Sequence, residues 1–261
     1  MSTMIDSTTR TVPPFGGFSG RILGLELRRL LRNKRAVIFT LVMPSVFFLL
    51  FGTDGDYKTE SAGHGNVTAW IMVSMAVYGA MIATTSGGAM VATERALGWS
   101  RQLRLTPLHP VAYVAIKTLV AMTMGLVAIV VVFIVGSLWG AELPMWRLLL
   151  CGLVGWATSL VFAALGLFMG YLLPSDNVMQ ILGPSLAILS FAGGLFIPLD
   201  QMGDVFATIA KFTPAYGVGV LSRAPLGDDQ SVLLGVVNVL AWAAVFIAGA
   251  AWRMSRDTQR V

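Results

Sequence analysis

VAYVAIKTLVAMTMGLVAIVVVFIVGSLW, residues 111–139, carries one charge, Lys117, and reads as a helix long enough to cross a lipid bilayer. A hydrocarbon layer ~30 Å thick takes about 20 apolar residues in helical form. Five further runs of the same character lie at 36–52, 68–91, 148–173, 178–198 and 232–252. Together they predict an all-α membrane protein of six transmembrane helices. The run at 178–198 is the least regular: Gly183-Pro184 are expected to break it early, and Gly193-Gly194 to loosen it before Pro198. Irregular backbone survives at membrane depth only where neighbouring protein satisfies it. This segment is therefore read as packed inside the bundle or partly re-entrant.

Composition agrees. Of 261 residues, 56% are hydrophobic and 12% are charged, with a mean hydropathy of +0.77. A soluble domain carries roughly 25% charged residues, so this chain lacks the polar surface to cover a soluble core. The net charge of +5 does not point to nucleic acid, because no basic stretch is interleaved with exposed aromatics. Cys151 is the single cysteine and cannot form an intramolecular disulfide. Residues 1–17, polar and containing Pro13-Pro14 and Gly16-Gly17, read as a flexible cytoplasmic N-terminus without the apolar core of a cleaved signal peptide.

Charge placement orients the spans. Assigned to alternate sides, 14 of the 18 Lys and Arg residues fall on one side, in the N-terminal segment, the loop after span two and the tail at 253–261. The other side holds Lys58, Arg147, Lys211 and Arg223 with eight acids. Cationic loops stay cytoplasmic, which places both termini in the cytoplasm, and an even number of spans requires the same. Lys117, near a membrane end, is expected to snorkel to the headgroups.

Two segments on the cytoplasmic side stand out. Residues 18–35 place Phe18, Ile22, Leu23, Leu27, Leu30 and Leu31 at three- and four-residue spacing, one face of a helix. Arg28, Arg29, Arg32, Lys34 and Arg35 lie between or beyond them. Basic flanks beside an apolar stripe suit an interfacial elbow helix feeding span one. Between spans two and three, residues 94–108 read ERALGWSRQLRLTPL. Helical spacing brings Leu97, Arg101 and Arg104 near one face, and Pro107 stops the helix. Such a helix suits docking into a groove on a soluble partner; a connector anchored in the headgroups is the plainer reading.

These residues resemble the permease subunits of ABC-2 type exporters. Those carry an acidic residue, a Gly about four later and a Leu-Arg-x-x-Pro run, matched here by Glu94, Gly98, Leu103-Arg104 and Pro107. A Gly-rich span ending in Pro (Gly193-Gly194 to Pro198), then Phe212-Thr213-Pro214-Ala215, then Leu221-Ser222-Arg223-Ala224 match a second pattern. The resemblance covers almost the whole chain, with 36–252 as the six-span domain. It implies a drug- or antibiotic-efflux-like exporter in a bacterial plasma membrane. Its partners would be two copies of a separate ATP-binding subunit, which holds the ATP and magnesium, and a second permease, identical or different. Glu94, Arg95, Leu97, Gly98, Arg101, Leu103, Arg104 and Pro107 would form the coupling helix in a groove of the ATPase. Arg28 to Arg35 would add contacts, and residues 200–229 would be extracellular re-entrant helices.

The chain has no Gly-Lys dipeptide, hence no phosphate-cradling P-loop, and its two histidines and one cysteine are too few and scattered for a metal cluster. No cofactor is expected on this chain, and no catalysis of its own. Met72, Met75, Thr84, Ser185, Ser190 and Asn238 are candidates for a pathway lining or for helix packing. An apolar pathway favours a hydrophobic or amphipathic cargo. Polysaccharide or lipid-linked glycan export would instead need aromatic stacking residues such as Trp70, Trp139, Trp146, Trp156 and Trp242. A membrane scaffold that transports nothing is the reading from a different class.

Overall fold

The computed structural model describes residues 19–98, 109–228 and 230–258, leaving out the side chains at 35, 36, 110, 176, 257 and 258. The described residues are almost wholly helical, apart from a two-residue hairpin in which β1 (Ser61–Ala62) pairs antiparallel with β2 (Gly65–Asn66).

Helix α1 (Gly20–Arg32) starts where the Ser19 hydroxyl accepts from the Arg21 amide, and it ends on Arg29 and Arg32. Cations in a last turn complement the helix dipole. The chain turns at Asn33 and continues as α2 (Lys34–Phe51). Ile22, Leu23, Leu27 and Leu30 pack against Ile116, Val120 and Met124. The apolar stripe expected at the headgroups is thus turned, on this part of it, onto the bundle. Leu25 and Leu31 stay exposed.

At the centre stands α3 (Val67–Ala96), which touches α2, α4 (Pro110–Leu138), α5 (Met145–Thr158), α6 (Leu160–Leu172), α7 (Ser175–Ala192) and α9 (Pro214–Arg223). A helix buried on all sides needs small residues to let its neighbours in. Gly79 receives the ring of Pro44, and Gly88 lies against the backbone of α6. Helices α5 and α6 form one apolar stretch, Met145–Leu172, interrupted only at Ser159. Among the described residues, four stretches are long and apolar enough to span a membrane: Val67–Ala96, Val111–Leu138, Met145–Leu172 and Val232–Arg256. The other two expected spans appear as the shorter helices α2 and α7.

Helix α7 corrects one expectation. It runs through Gly183-Pro184 without breaking and ends at Gly193 and Gly194, the latter at φ +76°. A proline inside a helix removes one backbone hydrogen bond; Gly183 and Pro184 are exposed in this chain, and not packed inside the bundle as expected for this segment. The two adjacent glycines end it instead, since Gly194 adopts a backbone open chiefly to glycine.

Between α7 and the last helix, α8 (Asp204–Ala210) and the Pro214–Leu226 segment meet at 94°. Helix α10 (Val232–Thr258) packs on α6 and α9, and much of its remaining surface is apolar. Asn66 ties the hairpin end together: its side chain accepts from the amides of Ala69 and Glu142 and donates to the carbonyls of Lys58 and Gly140.

Candidate functional site

Where α3 ends, its last turns meet α1 and α4 in a buried cluster of charges. The Glu94 Oε1 atom accepts from Lys117 Nζ at 2.5 Å and from Arg29 Nη1 at 2.9 Å. Its Oε2 accepts from the Tyr113 hydroxyl. Lys117 also donates to Glu26 Oε2 at 2.7 Å and lies 5.5 Å from the centre of the Tyr113 ring. Glu94 is 2% exposed and Lys117 3%. Two carboxylates meet two cations, so each buried group has a partner of opposite type.

Helix geometry explains the meeting. Tyr113 and Lys117 are four residues apart on α4, one face of a helix, as Glu26 and Arg29 are three apart on α1. His109 caps α4 by accepting from the Val111 amide, with Pro110 following.

The structure corrects two expectations here. Lys117 does not snorkel to the headgroups; it is buried between two carboxylates. Glu94 does not stand on a docking helix but in the last turns of α3, its carboxylate turned into the bundle. The reason is pairing: a carboxylate flanked by Arg29, Lys117 and Tyr113 is better satisfied inside than displayed. Arg95 likewise points inward, donating to the carbonyls of Gly170 and Tyr171 at 3.1 Å each, where α6 ends. Leu97 is 70% exposed, and Gly98 ends α3 at φ +70° with open space around it. Arg101, Leu103, Arg104 and Pro107 lie outside the described residues. Of the elbow set, Arg28, Arg32 and Lys34 are exposed and Arg29 joins the cluster; the Arg35 side chain is not described.

Glu26, Tyr113 and Lys117 were the partners missed in the sequence. A signal existed: a lysine inside an otherwise uncharged run is rarely without a counter-charge.

The six pathway-or-packing candidates separate cleanly. Met72 and Met75 are core residues, 1% exposed. Thr84 donates to the Ala80 carbonyl and Ser190 to the Leu186 carbonyl, both within their own helices. Asn238 donates to the carbonyls of Lys211 and Thr213, fastening α10 to the turn before α9. Ser185 is half-buried on α7. None of the six lines either of two large cavities formed by the described residues. One, of about 700 Å³, opens towards the α1 end and is lined by Met43, Met90, Met124 and Met179 among uncharged residues. The other, of about 810 Å³, lies towards the hairpin end beside Trp70 and Phe191.

At the hairpin end Arg223 is buried too. It donates to Asp228 Oδ2 at 3.0 Å, to Ser74 Oγ at 3.2 Å and to the Gly194 carbonyl at 3.3 Å, and stacks 4.5 Å from the Trp70 ring. One guanidinium thereby holds α9, α3 and the turn after α7. Arg223→Lys retains the charge but loses the fork that serves several acceptors at once. Its expected cost is about 1.5–3 kcal/mol, read as a lower thermal midpoint of the purified protein. An unchanged midpoint would show that a point charge suffices there.

The ABC-2 type transporter family matches this chain over residues 21–222, from α1 into α9. YvfS of Bacillus subtilis (strain 168), named as a transport permease, is 27% identical over 225 residues, covering 85% of this chain and 91% of YvfS. A bundle of apolar helices and a family match over most of the length agree with each other. The chain belongs to the ABC-2 type transporter family, as a membrane-spanning permease subunit that is not itself the catalyst.

Proposed function

We propose that this permease exports a hydrophobic or amphipathic compound from the cytoplasm or inner leaflet, driven by ATP hydrolysis in two copies of a separate ABC ATP-binding subunit. In this reading both termini are cytoplasmic in a bacterial plasma membrane, and two permease copies stand side by side. Arg101, Leu103, Arg104 and Pro107 dock on the ATPase, and Leu97 and the exposed Arg28, Arg32 and Lys34 add contacts. The bent pair α8–α9 lies at the outer mouth. The observation that carries the reading is the uncharged cavity of about 700 Å³ with its methionine lining. Flexible, polarisable thioethers accept varied apolar shapes, and Leu30, next in sequence to Arg29 of the charge cluster, lines the cavity.

That cluster supports the coupling part of the proposal. Residues 99–108 connect the ends of α3 and α4, and Glu94, Tyr113 and Lys117 clamp those two ends to each other and to α1. A push on the loop is then passed to three helices together. Glycan export draws less support: of the five tryptophans considered, only Trp70 lines either of these cavities. Trp156 and Trp242 donate to the carbonyls of Met122 and Phe212 instead.

The test reconstitutes the permease with its ATP-binding subunit in inside-out vesicles and follows accumulation of a fluorescent apolar dye. ATP depletion is expected to stop it, and collapse of the proton gradient to leave it running. The reverse pattern would overturn the assignment of ATP as the driver. Reversing the charge of Arg101 or Arg104 is expected to abolish co-purification with the ATPase while the permease stays folded. Unaltered co-purification would remove those residues from the docking surface, and a permease with no transport under any condition would favour the scaffold reading.

A further inference from the structure

The two cavities are not independent. Both are lined by Phe47 of α2 and by Ala187 of α7, one cavity lying towards each end of the bundle. Three aromatic rings meet where they adjoin. Phe47 stacks on Tyr78 of α3 at 6.1 Å with an interplanar angle of 18°, and Phe196 meets Phe47 edge-on at 6.1 Å and Tyr78 at 5.0 Å. Tyr78 lines the first cavity and Phe196 the second. Phe47 and Phe196 are also the rings shared by the two main core clusters, and both are only partly buried.

Resting on the permease reading, we propose that Phe47, Tyr78 and Phe196 form a closable aromatic partition between two chambers of one transport pathway, and that it selects flat apolar cargo. Ring faces offer dispersion and quadrupole contacts to an aromatic or flat apolar molecule. A layer of carbon excludes water and ions when shut. The mounting of the three rings differs in a way that suits a gate. Phe47 and Tyr78 stand on helices, whereas Phe196 follows α7 on the turn begun by Gly193 and Gly194. Arg223 holds the Gly194 carbonyl of that turn, and Leu195 beside it is fully buried. Phe196 can therefore shift with its turn while α7 stays helical, and Arg223 and Leu195 return it to place.

Thiol labelling tests the partition without requiring transport. In a Cys151→Ala background, single cysteines are placed at Met179, in the first chamber, or at Phe191, in the second. A charged, membrane-impermeant methanethiosulfonate is then applied to sealed right-side-out or inside-out vesicles. Each cysteine is expected to react from one membrane face only, and the two from opposite faces. Adding Phe47→Ala, or Phe196→Ala as a second variant, is expected to open Met179→Cys to the far face at the rate seen from its own. If both variants remain one-sided although the protein is present and monodisperse, the partition is overturned. It is overturned equally if either cysteine in the otherwise unchanged chain reacts from both faces, or if neither reacts at all. Failure of the exporter reading would appear elsewhere, as one-sided labelling intact but no ATP-driven dye accumulation.

Discussion

Lys117→Met is expected to lower the thermal midpoint of the detergent-solubilised permease by roughly 10 °C, taking about 2–4 °C per kcal/mol for a chain of this size. The substitution keeps most of the side-chain volume and removes the cation between two carboxylates. Glu94, 2% exposed, retains Arg29 and Tyr113, and Glu26 retains a longer contact with Arg29 at 3.8 Å. Removing one partner of a buried ion pair costs about 3–5 kcal/mol, because the remaining charge stays away from water unpaired. The pairing argument also predicts a recovery: Glu94→Gln added to Lys117→Met should restore much of the loss, since an uncharged pair no longer carries that penalty. Strict additivity of the two changes would mean that the residues do not interact. An unchanged midpoint in Lys117→Met would mean that the cluster does not form. In the assembled transporter the same substitution should uncouple ATP hydrolysis from dye movement, since α1, α3 and α4 would no longer be clamped.

Gly166→Ala is expected to be the most damaging change of a single methyl group. A Cβ at that position would stand 2.1 Å from the Thr85 carbonyl oxygen and 2.8 Å from its carbon, backbone atoms that cannot rotate away. The reciprocal contact is as tight: a Cβ on Gly88 would lie 2.5 Å from the Ala163 carbonyl oxygen. Gly166 and Gly170, four apart on α6, make the small-residue seam that lets two membrane helices touch along their backbones. Without a hydrophobic force to gather helices inside lipid, such packing and helix–helix hydrogen bonds do most of the work. Forcing α6 away from α3 should cost about 1–3 kcal/mol or more, and it should reduce the amount of folded protein recovered from the membrane. Gly24→Ala is the control. Its Cβ would meet nothing within 4 Å, and alanine favours a helix over glycine by about 1 kcal/mol, so that variant should be neutral or more stable. If both variants behave alike, the α3–α6 crossing is not as close as described.

Much of the architecture was legible because hydrophobicity is summed residue by residue. The apolar runs became α2, α3, α4, α5–α6, α7 and α10, and the stripe Ile22, Leu23, Leu27 and Leu30 became one face of α1. Motif order, from Glu94 and Gly98 to Arg223-Ala224, pointed to the family that the match over residues 21–222 then showed. The errors share a cause. Gly183-Pro184 looked like a break because local propensity disfavours both residues in helices, yet α7 runs on through them with both exposed. Glu94 looked like a docking contact and Lys117 like a snorkelling one because each was read without its partner.

The sequence by itself thus determined that the chain is a membrane-spanning helical bundle and which family it belongs to, since both follow from composition, run length and motif order along one dimension. Only the tertiary structure decided that Glu94 and Lys117 form a buried pair, that α3 is the hub, and that Phe47, Tyr78 and Phe196 meet where two cavities adjoin. Those are relations between residues far apart in the chain. A side chain's burial, charge state and role depend on what the neighbouring helices bring to it, and in a bilayer every helix is apolar enough that its own residues alone do not say which neighbour it will touch.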